Sequence, residues 1–177
     1  MTDDCIIFTV GHSILALEDF LALLAAHRIE AIADVRRYPT SRRHPYVSGA
    51  ALAPALAAEG IAYHWFEELG GRRSTKDLSE DNAGWRVAAF HAYADYTREP
   101  RFAETLGRLE TVAHGARTAV MCAEAMWTKC HRRLIADALA ARGWSVHHLM
   151  TRTRVEPHRI PDFARIHGTV VLYPAPA

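Results

Sequence analysis

"TAVMCAEAMWTKCHRRLIADALAARGWSVHHL", residues 118–149, decides the fold. It opens on an apolar run over 118–122, passes through a loop, takes up helical spacing over 131–143 with a stop at Gly143, and closes on a second apolar run over 144–150. Short apolar strands joined by a helix read as a parallel unit, because a parallel pair needs a crossover of that length to return the chain to the same end of the sheet.

The pattern recurs on the N-terminal side. "IIFTV" (6–10) predicts a strand ending in "GHS", and Leu17, Phe20, Leu21 and Leu24 follow at helical spacing. "EAIADV" (30–35) predicts a second buried strand. A short helix over 49–60 has Ser48 as its cap and Gly60 as its stop, with Pro54 against it. "IAYHWF" (61–66) predicts a third strand, and the polar, glycine-containing stretch after it, about 18 residues long, reads as a functional loop. Helical segments over 85–100 and 101–116 divide near Pro100, and "GTVVLYP" (168–174) offers a sixth strand. Together these predict one α/β domain over 1–177: three layers, a mainly parallel sheet of five to six strands, and helices on both faces, Rossmann-like. Neither repeats nor low-complexity tracts interrupt it.

Composition sets further bounds. With 177 residues, 50% of them hydrophobic, the chain can bury a sizeable core. No apolar run approaches the ~20 residues of a membrane span, and the first residues are acidic where a signal peptide is basic. The expectation is a soluble cytoplasmic protein without a membrane partner. Three cysteines, an odd count without an export signal, are expected to be reduced thiols. The net charge is only +1, yet twelve of the 21 Lys and Arg residues fall in "RRYPTSRR", "RRSTK", "KCHRR" and "RTR", which a fold can gather into one positive face.

Open parallel sheets bind ligands beyond the carboxyl ends of their strands. The predicted ends carry Gly11, His12 and Ser13; Asp34, Arg36 and Arg37; Glu67, Glu68, Gly70 and Gly71; Cys122 and Glu124; and Arg152 and Arg154. We therefore expect His12, Asp34, Arg36, Glu124 and Arg132 to line one concave site, with the basic stretches around Arg42, Arg43, Arg72 and Arg73 surrounding it.

The motifs "TVGHS" (9–13), "DVRRYPTSRRHP" (34–45), "ELGGRR" (68–73), "GWRVAAFHAYADY" (84–96) and "MCAEAMWTKCHRRLIADAL" (121–139) carry a resemblance. In order and spacing the chain resembles, from about Thr9 to about Leu149, the family catalogued as domain of unknown function 488. That resemblance implies an α/β sheet domain and no settled activity. The 118–149 segment is also loosely similar to the strand, cysteine loop and helix of rhodaneses and cysteine phosphatases, and "IADVR" is similar to the rhodanese second-strand end. Those families cradle an anion in about six residues after the cysteine, whereas nine separate Cys122 from Arg132 and Glu124 adds negative charge.

The chemistry therefore has several readings. Cys122, facing a helix N-terminus with His131, Arg132 and Arg133, can be a nucleophile of lowered pKa, or a buried pocket wall, which the sequence favours. Glu124 and Asp34, with His12 and His131, suit general acid/base work, although Asp34 can equally serve only to fix Arg36. Ser13, Arg36, Arg37, Arg42, Arg43, Gly70, Gly71, Arg72 and Arg132 are the candidate substrate contacts. Trp127 joins them as a stacking surface, against its use as a hydrophobic plug. Cys122, Cys130, His131 and His12 are possible metal ligands, but a separation of eight positions without a paired CxxC is weak evidence for zinc, and no metal is assigned. No cofactor is named. The expected function is an enzyme binding an anionic substrate, with a phosphate-bearing small molecule, nucleotide or nucleic acid as the leading candidates. The alternatives are a non-catalytic nucleic-acid-binding module and a cysteine-dependent, rhodanese- or phosphatase-like transferase.

Overall fold

The computed structural model describes residues 5–176, so the acidic start of the chain read above lies outside the described residues. Eight strands are described: β1 (Ile6–Gly11), β2 (Ala31–Asp34), β3 (Ala62–Trp65), β4 (Thr118–Cys122), β5 (Ser145–Leu149), β6 (Val155–Pro157), β7 (Arg165–His167) and β8 (Val170–Leu172). The helices are α1 (Leu17–Ala26), α2 (Gly49–Ala58), α3 (Ala88–Tyr96), α4 (Pro100–Gly115) and α5 (Arg132–Ala141). Among the described residues no helix is long and apolar enough to cross a membrane.

A six-stranded sheet runs in the order β3-β2-β4-β1-β5-β6, parallel except for the β5–β6 pair. This is the expected three-layer α/β architecture. Burial on both faces explains why its inner strands read as continuous apolar runs. Along β1 and β4, Phe8, Val10, Ala119 and Met121 pack toward α1 and α2, while Ile7 and Val120 pack toward the α3–α5 side. The period of two was therefore hidden, since either face demands an apolar side chain.

The 168–174 strand differs from expectation. Its core, β8, pairs with β7 in a separate antiparallel hairpin, and the sixth strand of the main sheet is β6, three residues that fold back on β5. α2 continues through Pro54, because the carbonyl deprived of its helical donor is that of exposed Ala50, which water can satisfy. Ser48 does occupy the N-cap position of α2, without a side-chain cap bond.

Strand order places a reversal at β4. The loops leaving β1 and β2 turn toward the α1–α2 side, whereas the loop leaving β4 turns toward α5, so the chain diverges on either side of the β4 carboxyl end. Such divergence opens a crevice. Its floor is fixed by register: Gly11 lies opposite Cys122, and His12 N–H donates to the Cys122 carbonyl at 3.0 Å. Gly11 must lack a side chain, because a Cβ there would stand 1.9 Å from the Glu124 carbonyl oxygen.

Behind this floor runs a buried polar chain. Thr9 Oγ1 lies 2.6 Å from His148 Nδ1, His148 Nε2 lies 3.0 Å from His158 Nδ1, and His158 Nε2 lies 2.7 Å from Asp137 Oδ1. Tyr173 donates to the other Asp137 oxygen at 2.6 Å. One set of tautomers satisfies every link, each donor pointing toward the Asp137 carboxylate. His148 is neutral in that set, and burial foremost lowers its pKa from 6.5 to about 3. The unfolded chain takes up this proton as pH falls below about 6.5 and the folded chain does not, so this contribution to stability is lost progressively toward pH 3. In an NMR titration of the folded protein, the His148 imidazole should keep its neutral shifts from pH 8 down to about 5. A midpoint near 6.5 would contradict the network.

Candidate functional site

Beyond β4 lies a cleft of about 510 Å³. His12, Arg36, Arg37, Gly71, Arg72, Cys122, Glu124 and His131 of the sequence-derived set line it. Asp34, Arg132, Ser13, Gly70, Arg42, Arg43 and Trp127 do not.

The reasons are physical. Asp34 is fully buried and receives Arg36 Nε at 2.9 Å, Arg36 Nη2 at 2.6 Å and the Tyr63 hydroxyl at 2.6 Å, so it anchors Arg36 behind the cleft wall. Arg132 is 1% exposed and donates to the Thr9 hydroxyl and to the carbonyls of Glu124 and Ala125, which ties down the loop after β4 and leaves the guanidinium facing inward. Ser13, at φ 48°, forms the turn after β1. Its N–H donates to the Ala123 carbonyl and its own carbonyl accepts from His12 Nδ1 at 3.0 Å. Gly70 is pressed against the Arg37 backbone, where a Cβ would come within 2.5 Å of the Arg37 side chain. Trp127 stacks on His148 at 4.1 Å and donates to Glu156 at 3.0 Å, so the indole face closes the histidine chain. Arg42 and Arg43 are exposed outside the cleft.

The remaining basic residues divide in the same way. Arg73 lies over the Tyr96 ring at 3.4 Å and donates to the carbonyls of Glu68 and Gly70. Arg133 donates to the Thr128 carbonyl and lies over Trp85. Arg152 pairs with Asp19 and Arg154 with Glu156. Arg37, Arg72 and Lys129 are the cations left to face the cleft, since Arg36 is committed to Asp34, the Val47 carbonyl and His12. Arg37 Nη1 donates to the Arg72 carbonyl at 3.3 Å. Arg37 and Arg72 flank the exposed Tyr38 ring at 6.0 and 5.7 Å. Tyr38, Thr40, Ser41, Phe90 and Lys129 are lining residues that sequence reading did not select, and Cys130, read only as a weak metal-ligand candidate, lines it too. Tyr38, Thr40 and Ser41 stand inside the basic "RRYPTSRR" stretch, which was the available signal; Phe90 shares helical spacing with core Tyr93 and gave none.

His12 is neutral. Burial foremost lowers its pKa, and the Arg36 guanidinium adds to this by donating to Nε2 at 3.2 Å. His131 stands at the N-terminus of α5 with its Nε2 3.1 Å from the Val35 carbonyl. That bond requires a proton on Nε2 and leaves Nδ1 as the ring atom that faces the two sulfurs, 3.9 Å from Cys122 Sγ and 3.8 Å from Cys130 Sγ, as a lone pair in the neutral ring and as a donor in the imidazolium. Gly71 makes room for this ring, since a Cβ would approach Nδ1 to 2.6 Å. A hydrogen bond from Cys130 draws the Cys122 thiol well below the usual range against the effect of burial, and His131 and the Glu124 amide act in the same direction. Cys130 is pushed up by the same bond and by burial. Of the two thiols, Cys122, at the floor of the cleft, is the one whose thiolate is favoured. Glu124, also a lining residue, is exposed, and its carboxylate accepts the Met126 N–H at 3.3 Å.

The family model described as Domain of unknown function DUF488 matches residues 16–139. The chain belongs to that family. The match includes every lining residue named above except His12, which stands just before its first residue. No curated protein and no solved structure matches the chain.

Removing Arg36 tests its role as an anchor. Arg36→Met should lower stability by about 3–5 kcal/mol in urea denaturation, because the Asp34 carboxylate is left buried without its charge partner. A loss below about 1 kcal/mol would show that Asp34 finds compensation elsewhere.

Proposed function

We propose that the protein is an enzyme that binds an anionic, phosphate-bearing small molecule in the cleft beyond β4, with a nucleotide as the leading candidate. The observation that carries this reading is the convergence on one cavity of three cations without a carboxylate partner among the described residues, Arg37, Arg72 and Lys129, with the Cys122, Cys130 and His131 cluster. The cations supply charge-assisted donors for phosphate oxygens. Tyr38, exposed between two guanidinium groups, supplies a face on which a base can stack. Glu124 and Cys122 face the same space, which suits a reacting end placed away from the phosphate.

A nucleic-acid-binding module is less well supported. It would need a track of free cations across a surface, yet Arg73, Arg133, Arg152 and Arg154 are each engaged within the protein. The lowered pKa of Cys122 favours a second reading of the same cleft, a thiolate nucleophile. Against a phosphatase- or rhodanese-like cradle, the loop offers the thiolate the Glu124 amide, while its Glu124 and Ala125 carbonyls turn to Arg132.

Calorimetric titration with ATP, ADP, AMP and inorganic phosphate at low and high salt tests the proposal. Nucleotide should bind at low salt and weaken as salt rises. Arg37→Ala and Arg72→Ala should each weaken it about tenfold, while Arg42→Ala should leave it unchanged. Absence of binding at low salt, or equal losses in all three variants, would remove the phosphate reading. Tight binding of a single-stranded oligonucleotide with none of mononucleotide would move the assignment to the binding module.

A further inference from the structure

We propose that Cys122, Cys130 and His131 form a three-ligand site for a divalent metal ion of the zinc class, its fourth position open to the cleft. The two Sγ atoms and one imidazole nitrogen all lie within 4.8 Å of one another. A tetrahedral zinc ion with bonds of about 2.3 Å to sulfur and about 2.0 Å to nitrogen holds those two atom types roughly 3.5 Å apart. The observed separations of 3.9 and 3.8 Å from Nδ1 to the sulfurs are therefore within a few tenths of an ångström of ligation distance.

Three further features point the same way. The Val35 carbonyl accepts from His131 Nε2, which keeps the proton of the neutral ring on Nε2 and makes Nδ1 the atom able to ligate. A hydrogen bond of this kind on the far nitrogen is the usual support of a metal-bound histidine. The ligands also stand on held positions, Cys122 at the end of β4 and His131 at the entry to α5 with its ring against Gly71. A thiol pair bridged only by its own hydrogen bond has no need of a third donor atom at equal distance from both sulfurs. Finally, all three side chains line the cleft, so an ion bound by them has one side facing open space. Two sulfurs and an imidazole select zinc, cobalt or copper over magnesium and calcium, which take oxygen ligands. Three protein ligands with one open position are the arrangement of catalytic sites, whereas structural zinc is closed by four.

The metal site stands on its own geometry. Only the statement that its open position faces substrate rests on the reading of the cleft as a phosphate-substrate site. The full-length protein, stripped with chelator and kept reduced, is titrated with Co²⁺ and then Zn²⁺. Cobalt should bind at one equivalent per chain, with the visible bands of a tetrahedral ion and a near-ultraviolet thiolate-to-cobalt band, and zinc should displace it. Cys122→Ser and Cys130→Ser should each lower cobalt affinity at least tenfold. Should the buried Cys130 variant fail to fold, the partly exposed Cys122 variant still gives the comparison. Zinc should also slow iodoacetamide labelling of Cys122 and Cys130 at least tenfold while leaving Cys5 unaffected. Weak, non-stoichiometric cobalt uptake without thiolate bands, together with labelling of Cys122 at one rate with and without zinc, would overturn the site and leave a free thiolate. Nucleotide titration of the stripped protein separates the two proposals, because the Arg37 and Arg72 contacts need no metal.

Discussion

The buried guanidinium of Arg132 holds the two halves of this structure in relation to each other. It enters from the first turn of α5, reaches the Thr9 hydroxyl at the head of the histidine chain, and donates to the carbonyls of Glu124 and Ala125 in the loop after β4. A charge out of water is costly unless dipoles replace its hydration. Backbone carbonyls provide that replacement, so desolvation of one side chain specifies the path of the loop through Glu124 and Ala125. Cys122 and Glu124 take their positions from this path. Gly11 then lets the loop descend onto β1, which closes the floor of the cleft.

The layered sheet was legible in the sequence because its inner strands are buried on both faces and its helices carry clear stops at Gly60 and Gly143, both at positive φ. The line of strand ends that forms the cleft was legible too, since a parallel sheet must bring them to one edge. Less could be read about which arginines remain free. Arg36, Arg73, Arg132 and Arg133 look no different in sequence from Arg37 and Arg72. Their carbonyl partners are mostly local, three to eight residues away, but which carbonyls turn toward them depends on the path of the loops, and the rings over which Arg73 and Arg133 lie come from distant segments. The Asp34–Arg36 pair, two residues apart, was the one the sequence could offer. Trp127 shows the same limit: its partner, His148, lies across the sheet from the cysteine loop. β6 escaped notice because three residues containing a proline carry too short a pattern to read as a strand.

The resulting site is polarised. Cations line one wall at Arg37, Arg72 and Lys129, a sulfur-imidazole cluster forms the floor, and a carboxylate stands exposed at Glu124. Burial lowers the pKa of His12, which lines the cleft, and of His148 in the polar chain. On the proposed reading, such a separation of cations from sulfurs would orient a bipolar substrate, with phosphate on the cationic wall and the reacting atoms toward Cys122.

The central claim is that anions are taken at the carboxyl end of β4. Crystals soaked in tungstate, a heavy analogue of phosphate, measure this by anomalous diffraction. The account predicts the strongest tungsten peak inside the cleft, within contact of Arg37 and Arg72. A second basic groove lies at the opposite end of the sheet, formed by His27, Arg28 and Arg117. A peak there, with none beyond β4, would contradict the account.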